Sequence, residues 1–340
     1  MKILFSEIKK QGAALDWEGE YLKSKMADKE CDFCEQVVNE CGNDLSVYDV
    51  LSTFIYSKVD SGLLDRMPNL KLVVTRSTGF DHIDVQECNK RGIVVCNVPS
   101  YGENTVAEYA FTLLMTLGRK MYQANDRARK SNYDLDGLMG FDLMGKTLGV
   151  VGGGKIGQHA IRIGVGFGMK VICFDVNPNQ SLAEELGFEY VELNKLYQLS
   201  DIITLHVPLI PPTRHMINKE AFDKMKEGVV LINTARGGVV NTKDLVEALE
   251  SGKLGGAGLD VLEGEGWLLD ELDLVGKEGD IEKVRQALAN HILMDNEKVV
   301  VTFHNAFNTK EGRIRILDAT LNSIAGFAKK ELVGEVVIKK

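Results

Sequence analysis

With 340 residues, 44% of them hydrophobic and 26% charged, the chain has an ordinary globular composition and is long for one core, so two domains are expected. A net charge of −9 argues against nucleic acid or an anionic membrane as the main partner. Ile3-Leu4-Phe5 is interrupted at once by polar residues, and nothing approaches a run of about eighteen apolar residues, so a cytoplasmic protein without a membrane segment is expected.

Six cysteines are spread along the chain: Cys31, Cys34, Cys41, Cys88, Cys96 and Cys173. Cys31-x-x-Cys34 invites a redox or zinc reading, yet no second such pair or His pair lies near it. Cys96 and Cys173 fall in apolar runs, where cysteine is a small core residue. Reduced structural thiols and no metal are expected.

The first hundred residues read as an α/β unit. Strands are expected at Lys2 to Phe5, Thr53 to Tyr56, Leu70 to Thr75 and Ile93 to Asn97. Helices are expected around Tyr21 to Met26, Cys31 to Cys41, Asp60 to Met67 and Val85 to Arg91. That alternation implies a parallel sheet. After its third strand comes "RSTGFDH", Arg76 to His82, whose turn at Gly79 reads either as an anion nest or as a plain strand-to-helix connection.

"NVPSYGEN" leads into a helix in which Thr105 and Glu108 fit a capping box. Val106, Tyr109, Ala110, Leu113, Leu114 and Leu117 form a broad apolar stripe, suited to a core helix or to a dimer contact. From Gln123 to Asp142 the chain turns polar, with a charged helix and then a loop.

Thr147 to Asp175 is the most informative stretch. An apolar run, Leu148 to Val151, suits a buried parallel strand and is followed by Gly152, Gly154 and Gly157 at G-x-G-x-x-G spacing. Ile156, Ala160, Ile163 and Phe167 then recur at helical intervals, and a second strand, Lys170 to Phe174, ends on Asp175. Gly152 suits the tight turn, Gly154 leaves room for a pyrophosphate, and Gly157 lets helix and strand pack closely. The helix N-terminus offers N–H groups to the phosphates, and Asp175 can accept from ribose hydroxyls. Together these features predict a dinucleotide site.

The alternation then resumes. Leu193 to Leu199 is helical and Asp201 to Val207 a strand, followed by the rigid loop "PLIPPT". Lys219 to Met225 is a short helix, Val229 to Asn233 a strand running into "TARGG", Thr242 to Glu250 a helix and "GAGLDV" a strand. Gly264 to Glu297 is acidic, partly helical and outside the repeating pattern. Val299 to Thr302 is the last strand, and Ile314, Leu317, Leu321, Ile324 and Phe327 share one face of a final helix.

Arg236, Glu265 and His304 each fall just past an expected strand. Singly, each reads as an ordinary solvated or structural residue. Together they meet a chemical need: reduction of a 2-oxo acid requires a two-point grip on a carboxylate, which Arg supplies. It also requires a proton for the ketone oxygen, which His supplies near neutral pH when a carboxylate orients its ring.

Over nearly its whole length the chain resembles the D-2-hydroxyacid dehydrogenase family. The likeness is carried by "RSTGFDH", "NVPSYGENTVAEYAFTLL", "GGGKIG" with Asp175, "HVPLIPPTRHMIN", "NTARGGVVN", "GLDVLEGEG" and "VTFHNAF". The resemblance implies a Rossmann NAD-binding domain, 102–304, inserted into a flavodoxin-like α/β substrate domain made of 1–101 and 305–340. It implies that Arg236 binds the substrate carboxylate, that His304 is the proton donor and that Glu265 is its hydrogen-bonded partner. The N–H groups around Thr78 and Gly79 take the other carboxylate oxygen. Gly152, Gly154, Lys155, Ile156 and Gly157 border the pyrophosphate, and Asp175 the adenosine ribose. His206, Val207, Pro208 and Thr213 line the adenine side, Thr234, Ala235 and Arg236 the nicotinamide side, and Asp260 takes the carboxamide. A homodimer through the helix starting at Thr105 is also implied.

Tyr101, Phe307 and the long segment between Glu265 and His304 look like the D-lactate dehydrogenase branch. The chain departs from the family pattern at Gly266 and Phe303, where proline is usual, and at Asn308, where the lactate branch usually has tyrosine. The absence of a further domain after Lys340 argues against the larger phosphoglycerate dehydrogenases. The expected activity is hydride transfer between NADH and pyruvate. Alternatives are a branched, aromatic or glyoxylate-type 2-oxo acid, or an NAD sensor resembling the C-terminal-binding-protein corepressors.

Overall fold

The computed structural model describes residues 1–11, 14–265, 281–329 and 336. It divides into two units, Met1–Tyr101 with Thr309–Lys340, and Gly102–Asn308.

In the first unit, strands β1 (Lys2–Phe5), β4 (Glu30–Phe33), β5 (Val50–Thr53), β6 (Leu72–Thr75) and β7 (Val94–Cys96) form one sheet in the order β4-β1-β5-β6-β7. All its pairings are parallel. Between β1 and β4 lie a small hairpin, β2 (Lys10–Gln11) with β3 (Ala14–Leu15), and helix α1 (Trp17–Lys25). Helices α2 (Ser61–Asp65) and α3 (Val85–Lys90) bury Leu63, Leu64, Val85 and Cys88 against one face of the sheet. The other face carries Ile3, Phe5, Val50 and Leu72, packed against Leu22 of α1 and against Leu317 and Ile324 of the C-terminal helix, Lys310–Lys329. Two covered faces explain why the strands read as apolar runs rather than alternating ones. The strand order is that of a flavodoxin-like sheet, with its reversal between β1 and β5.

Three expectations need correction in this unit. The strand read at Thr53 to Tyr56 is Val50–Thr53, because Tyr56 is exposed and the amides of Phe54 and Tyr56 donate to the Glu7 carboxylate instead of a ladder. The helix read at Cys31 to Cys41 is the edge strand β4 followed by a short 3-10 turn, Val38–Glu40. An edge strand tolerates polar and charged residues, and "ECDF" gives little periodic signal. Finally, Cys34 and Cys41 are joined in a disulfide, with Cα atoms 5.9 Å apart, while Cys31, Cys88, Cys96 and Cys173 lie outside any disulfide. A helix through Cys34 and Cys41 would have held them apart, so the two errors have one cause.

The second unit is built on seven parallel strands: β8 (Thr147–Val151), β9 (Lys170–Phe174), β10 (Glu189–Tyr190), β11 (Ile202–Leu205), β12 (Val229–Asn233), β13 (Leu254–Leu259) and β14 (Val299–Val301). Their order is β10-β9-β8-β11-β12-β13-β14, the doubly wound Rossmann arrangement, and it reverses between β8 and β11. Around them lie α4 (Glu103–Gly118), α5 (Met121–Arg129), α6 (Lys155–Gly166), α7 (Gln180–Leu186), α8 (Leu193–Leu199), α9 (Lys219–Lys224), α10 (Thr242–Glu250) and α11 (Ile281–Asp295).

The stripe of α4 is buried within this unit: Ala110, Leu113, Leu114 and Leu117 pack with Leu148, Val150, Ala160 and Ile161. Thr105 does not cap it. The helix begins at Glu103 with Gly102 as its N-cap, and Thr105 is buried inside the first turn. In α6 the buried face is Gly157, Ala160, Ile161 and Gly164, whereas Phe167 is 40% exposed, so the stripe expected through Ile156 and Phe167 is rotated. The small residues sit inside because α6 lies so close to the sheet. Of the acidic segment, α11 packs on α10 and β14, and Gly266 lies outside the described residues.

Candidate functional site

The turn after β8 lies where the strand order reverses, and its geometry is set by backbone contact. Gly152 has φ +101°, and a Cβ there would meet the His206 carbonyl oxygen at 2.6 Å. A Cβ on Gly157 would lie 1.9 Å from the Gly152 carbonyl oxygen, so neither position admits a side chain. Among the described residues a Cβ on Gly154 would meet nothing within 4 Å, and no side chain caps the N-terminus of α6, which Lys155 and Ile156 open. That open, uncapped helix end fits a dinucleotide's phosphates. Asp175 accepts from Gly153 N–H at 2.7 Å through Oδ2 and from Asn177 N–H at 2.8 Å through Oδ1. Both oxygens keep lone pairs free of those bonds, as a ribose partner requires.

His206 leaves β11 beside this turn. Its ring nitrogen Nε2 lies 3.0 Å from Thr204 Oγ1, and desolvation of the half-buried residue pushes the imidazole down to about 4. A neutral ring suits a wall better than a charge partner. Val207 follows it, and beyond lies the loop from Pro208, closed by Thr213, whose hydroxyl accepts from Ile210 N–H at 2.9 Å. At the end of β12, Thr234 is 9% exposed and its hydroxyl has no hydrogen-bond partner among the described residues, an orphan that a bound nicotinamide's polar groups could satisfy.

Arg236, Glu265 and His304 all emerge past the carboxyl ends of this sheet's strands. Asn233, buried at the end of β12, holds the first turn: its Oδ1 accepts from Ala235 N–H at 3.0 Å and its Nδ2 donates to the Arg236 carbonyl at 3.0 Å. Arg236 is half-buried, and its Nη1 donates to the Ala235 carbonyl at 2.8 Å. His304 has φ +44°, a conformation uncommon outside glycine. Its Nδ1 lies 3.1 Å from Glu265 Oε1, and the side chains are 33% and 30% exposed. The other Glu265 oxygen, Oε2, accepts from Leu262 N–H at 3.2 Å.

Asp260 builds the His304 loop. It is 2% exposed; Oδ1 accepts from Thr302 Oγ1 at 2.6 Å and from Asn305 N–H at 2.8 Å, and Oδ2 accepts from Ala306 N–H at 2.9 Å. Its own carbonyl accepts from His304 N–H at 2.8 Å. Burial raises its carboxyl above the usual range, outweighing those bonds. The resemblance assigns Asp260 only a cofactor contact, so this scaffold role was missed, as was that of Asn233. The one local signal was the Asn-Thr-Ala-Arg turn, since asparagine readily bonds the backbone two residues on.

In the first unit, Thr78 and Gly79 follow β6. Thr78 Oγ1 donates to the Val98 carbonyl at 2.8 Å, and Ser77 Oγ donates to the Gly79 carbonyl at 2.6 Å. The loop is anchored by Arg76, 4% exposed, which donates to the carbonyls of Ser52 and Ser6 at 3.0 and 2.6 Å. Among the described residues the backbone N–H groups of Thr78 and Gly79 have no protein acceptor, as an anion nest requires. Tyr101 closes the first segment of this unit, its carbonyl accepting from Arg315 Nε. Phe307 lies in the second unit and is half-buried, three residues beyond His304.

Residues 111–306 match the model of a family described as D-isomer specific 2-hydroxyacid dehydrogenase, NAD binding domain. A D-lactate dehydrogenase of Escherichia coli is 36% identical over 328 residues, covering 91% of this chain and 96% of its own. A glyoxylate reductase of Thermococcus litoralis is 37% identical over 298 residues, covering 86% and 84%. Among solved structures, a D-lactate dehydrogenase from Aquifex aeolicus, complexed with NAD and lactic acid, superposes with a TM-score of 0.85 at 36% identity over the whole of both chains.

Proposed function

The chain belongs to the D-isomer-specific 2-hydroxyacid dehydrogenase family, NAD-binding oxidoreductases acting on CH–OH donors, and from that premise we propose that it interconverts pyruvate and D-lactate. The observation that carries the reading is the His304–Glu265 pair, held past the same sheet edge as the Arg236 turn.

Bound NADH supplies the hydride. The guanidinium of Arg236 grips the substrate carboxylate and polarises the neighbouring carbonyl. Backbone N–H groups of Thr78 and Gly79 take a carboxylate oxygen. The imidazolium of His304 delivers its proton to the ketone oxygen as that oxygen gains charge, while Glu265 holds the ring through Nδ1 and leaves Nε2 to face the substrate. Asp260 and Thr302 keep His304 in its left-handed conformation. The family resemblance assigns both Tyr101 and Phe307 to the substrate's side chain, and aromatic residues in that role favour a methyl group over a bulkier substituent.

A steady-state panel of 2-oxo acids tests this. Pyruvate should exceed phenylpyruvate and 2-oxoisocaproate in kcat/KM, since overlap costs more than the ~1–3 kcal/mol of one favourable methylene contact. A bulky acid preferred about tenfold over pyruvate would defeat the lactate assignment and leave the family intact. A second reading, a different 2-oxo acid, draws on Asn308, whose amide donates to Asn305 Oδ1 at 2.9 Å where the lactate branch usually has a ring. Turnover of any 2-oxo acid separates both from an NAD sensor.

Removing the Glu265 charge should be visible in turnover. Reduction needs the imidazolium, so the rate falls along an alkaline limb as pH rises, and Glu265 orients the ring through Nδ1. Glu265→Gln keeps a hydrogen bond without the charge and should lower kcat about tenfold or more; an unaltered kcat would count against the pairing.

Asp175 accounts for a preference for NADH over NADPH, because its carboxylate would face the 2′-phosphate. Asp175→Ser should weaken NADH binding about tenfold or more, the scale of a charge-assisted hydrogen bond, and so narrow the preference. Equal kcat/KM for both cofactors in the unaltered protein would refute this.

A homodimer through the outer face of α4 is part of the proposal, supported by Met121 and Phe167, which are 53% and 40% exposed beside Phe111 and Met115. So is a cytoplasmic location; among the described residues no helix is long and apolar enough to cross a membrane.

A further inference from the structure

Glu263 and Glu265 flank Gly264, and each meets a histidine whose backbone is left-handed: His215 at φ +50° and His304 at φ +44°. Only the second pair has a role in the reaction described above. Glu263 is the better buried carboxylate, its side chain 15% exposed against 30% for Glu265. Its Oε1 accepts from His215 Nε2 at 2.6 Å and from Arg214 Nη2 at 3.3 Å, and its Oε2 accepts from Thr242 Oγ1 at 3.4 Å. Its carbonyl accepts from Asn290 Nδ2 at 2.9 Å and from Gln286 Nε2 at 3.2 Å, one turn apart on α11.

Those bonds converge on two turns. His215 N–H donates to the Gly238 carbonyl at 2.9 Å, and Gly238 lies in the 3-10 turn Gly237–Val239 that directly follows Arg236. The same turn is seated on the backbone beside Glu263: a Cβ on Gly237 would lie 2.1 Å from the Leu262 carbonyl carbon and 2.3 Å from Glu263 N. On the other side, Leu262 N–H donates to Glu265 Oε2 at 3.2 Å. An exposed Arg214 contributes little by itself, because surface ion pairs are weak. The half-buried His215–Glu263 bond is different, since it fastens the two turns to each other.

We propose that Glu263 is a positioning residue which, through His215, sets the spacing between the Arg236 turn and the Glu265 turn. The proposal rests on the roles assigned to Arg236, Glu265 and His304 above. Neither Glu263 nor His215 touches the reacting atoms in it. Displacement of a reacting group by about 1 Å can cost about a hundredfold in rate, so a clamp at this point governs both the carboxylate grip and the orientation of His304.

The test compares Glu263→Ala, Glu263→Gln and His215→Asn with Arg236→Lys and Glu265→Gln, measuring kcat and KM for the best 2-oxo acid, NADH affinity and Tm. Glu263→Ala should lower kcat/KM about ten- to hundredfold, with a raised KM for the 2-oxo acid, a lowered kcat and NADH affinity unchanged. Glu263→Gln, which still accepts from His215 and can reach Thr242, should recover most of that loss. His215→Asn keeps the left-handed backbone, which asparagine tolerates, and should move the same quantities in the same direction; it carries the test should Glu263→Ala fail to fold. A lower Tm with unaltered kcat and KM would overturn the proposal, because a purely structural role predicts only that. If Arg236→Lys and Glu265→Gln themselves leave kcat and KM unchanged, the underlying reading fails, and the proposal falls with it.

Discussion

Arg236→Lys should lower kcat/KM for the 2-oxo acid by about a hundredfold or more, the usual cost of removing one preorganised donor from developing negative charge. An ammonium keeps the charge but loses the planar fork that meets both carboxylate oxygens. NADH affinity should stay unchanged, because the Asn233 bonds that hold the Thr234–Arg236 turn use only the Ala235 N–H and the Arg236 carbonyl. Those bonds survive the substitution, so the loss isolates the side chain. A variant within a few-fold of the parent would show that another group anchors the carboxylate.

His304→Asn should cost about a hundred- to ten-thousandfold in kcat, the range for removing a positioned general acid. Asparagine is chosen because φ at this position is +44°, and asparagine enters that region far more readily than alanine. The loop should survive, since Asp260 holds it through Thr302, Asn305 and Ala306 and through the backbone N–H of residue 304. With no imidazolium to lose, the residual rate should no longer fall across the alkaline limb. A residual rate that still followed that limb would assign the proton to another group.

The dinucleotide turn was legible because its constraints are local. Gly152 takes a φ of +101° that favours glycine, Gly157 is required by the Gly152 carbonyl five residues earlier, and the strands flanking them are apolar because both faces of the sheet are covered. The charged residues at the strand ends were legible for the same reason: strand, turn and functional residue are contiguous. What could not be read depends on partners distant in sequence. The edge strand Glu30–Phe33 owes its conformation to β1, nearly thirty residues earlier, and the Cys34–Cys41 bridge depends on that strand's course. Glu263 lies in a glycine-rich acidic stretch like any solvated loop, yet its bond to His215 spans 48 residues and its carbonyl is held from α11. Thr105 and Glu108 match a capping box in spacing, but the helix already starts at Glu103 with Gly102 as its N-cap, and Thr105 is buried inside its first turn.

The central claim is that this arrangement reduces a 2-oxo acid from the face that gives a D-hydroxy acid, with pyruvate as substrate. Chiral analysis of the product formed from pyruvate and NADH tests it most directly. The account predicts D-lactate, with formation abolished together with turnover in His304→Asn. L-lactate, or no reduction of pyruvate at all, would contradict it.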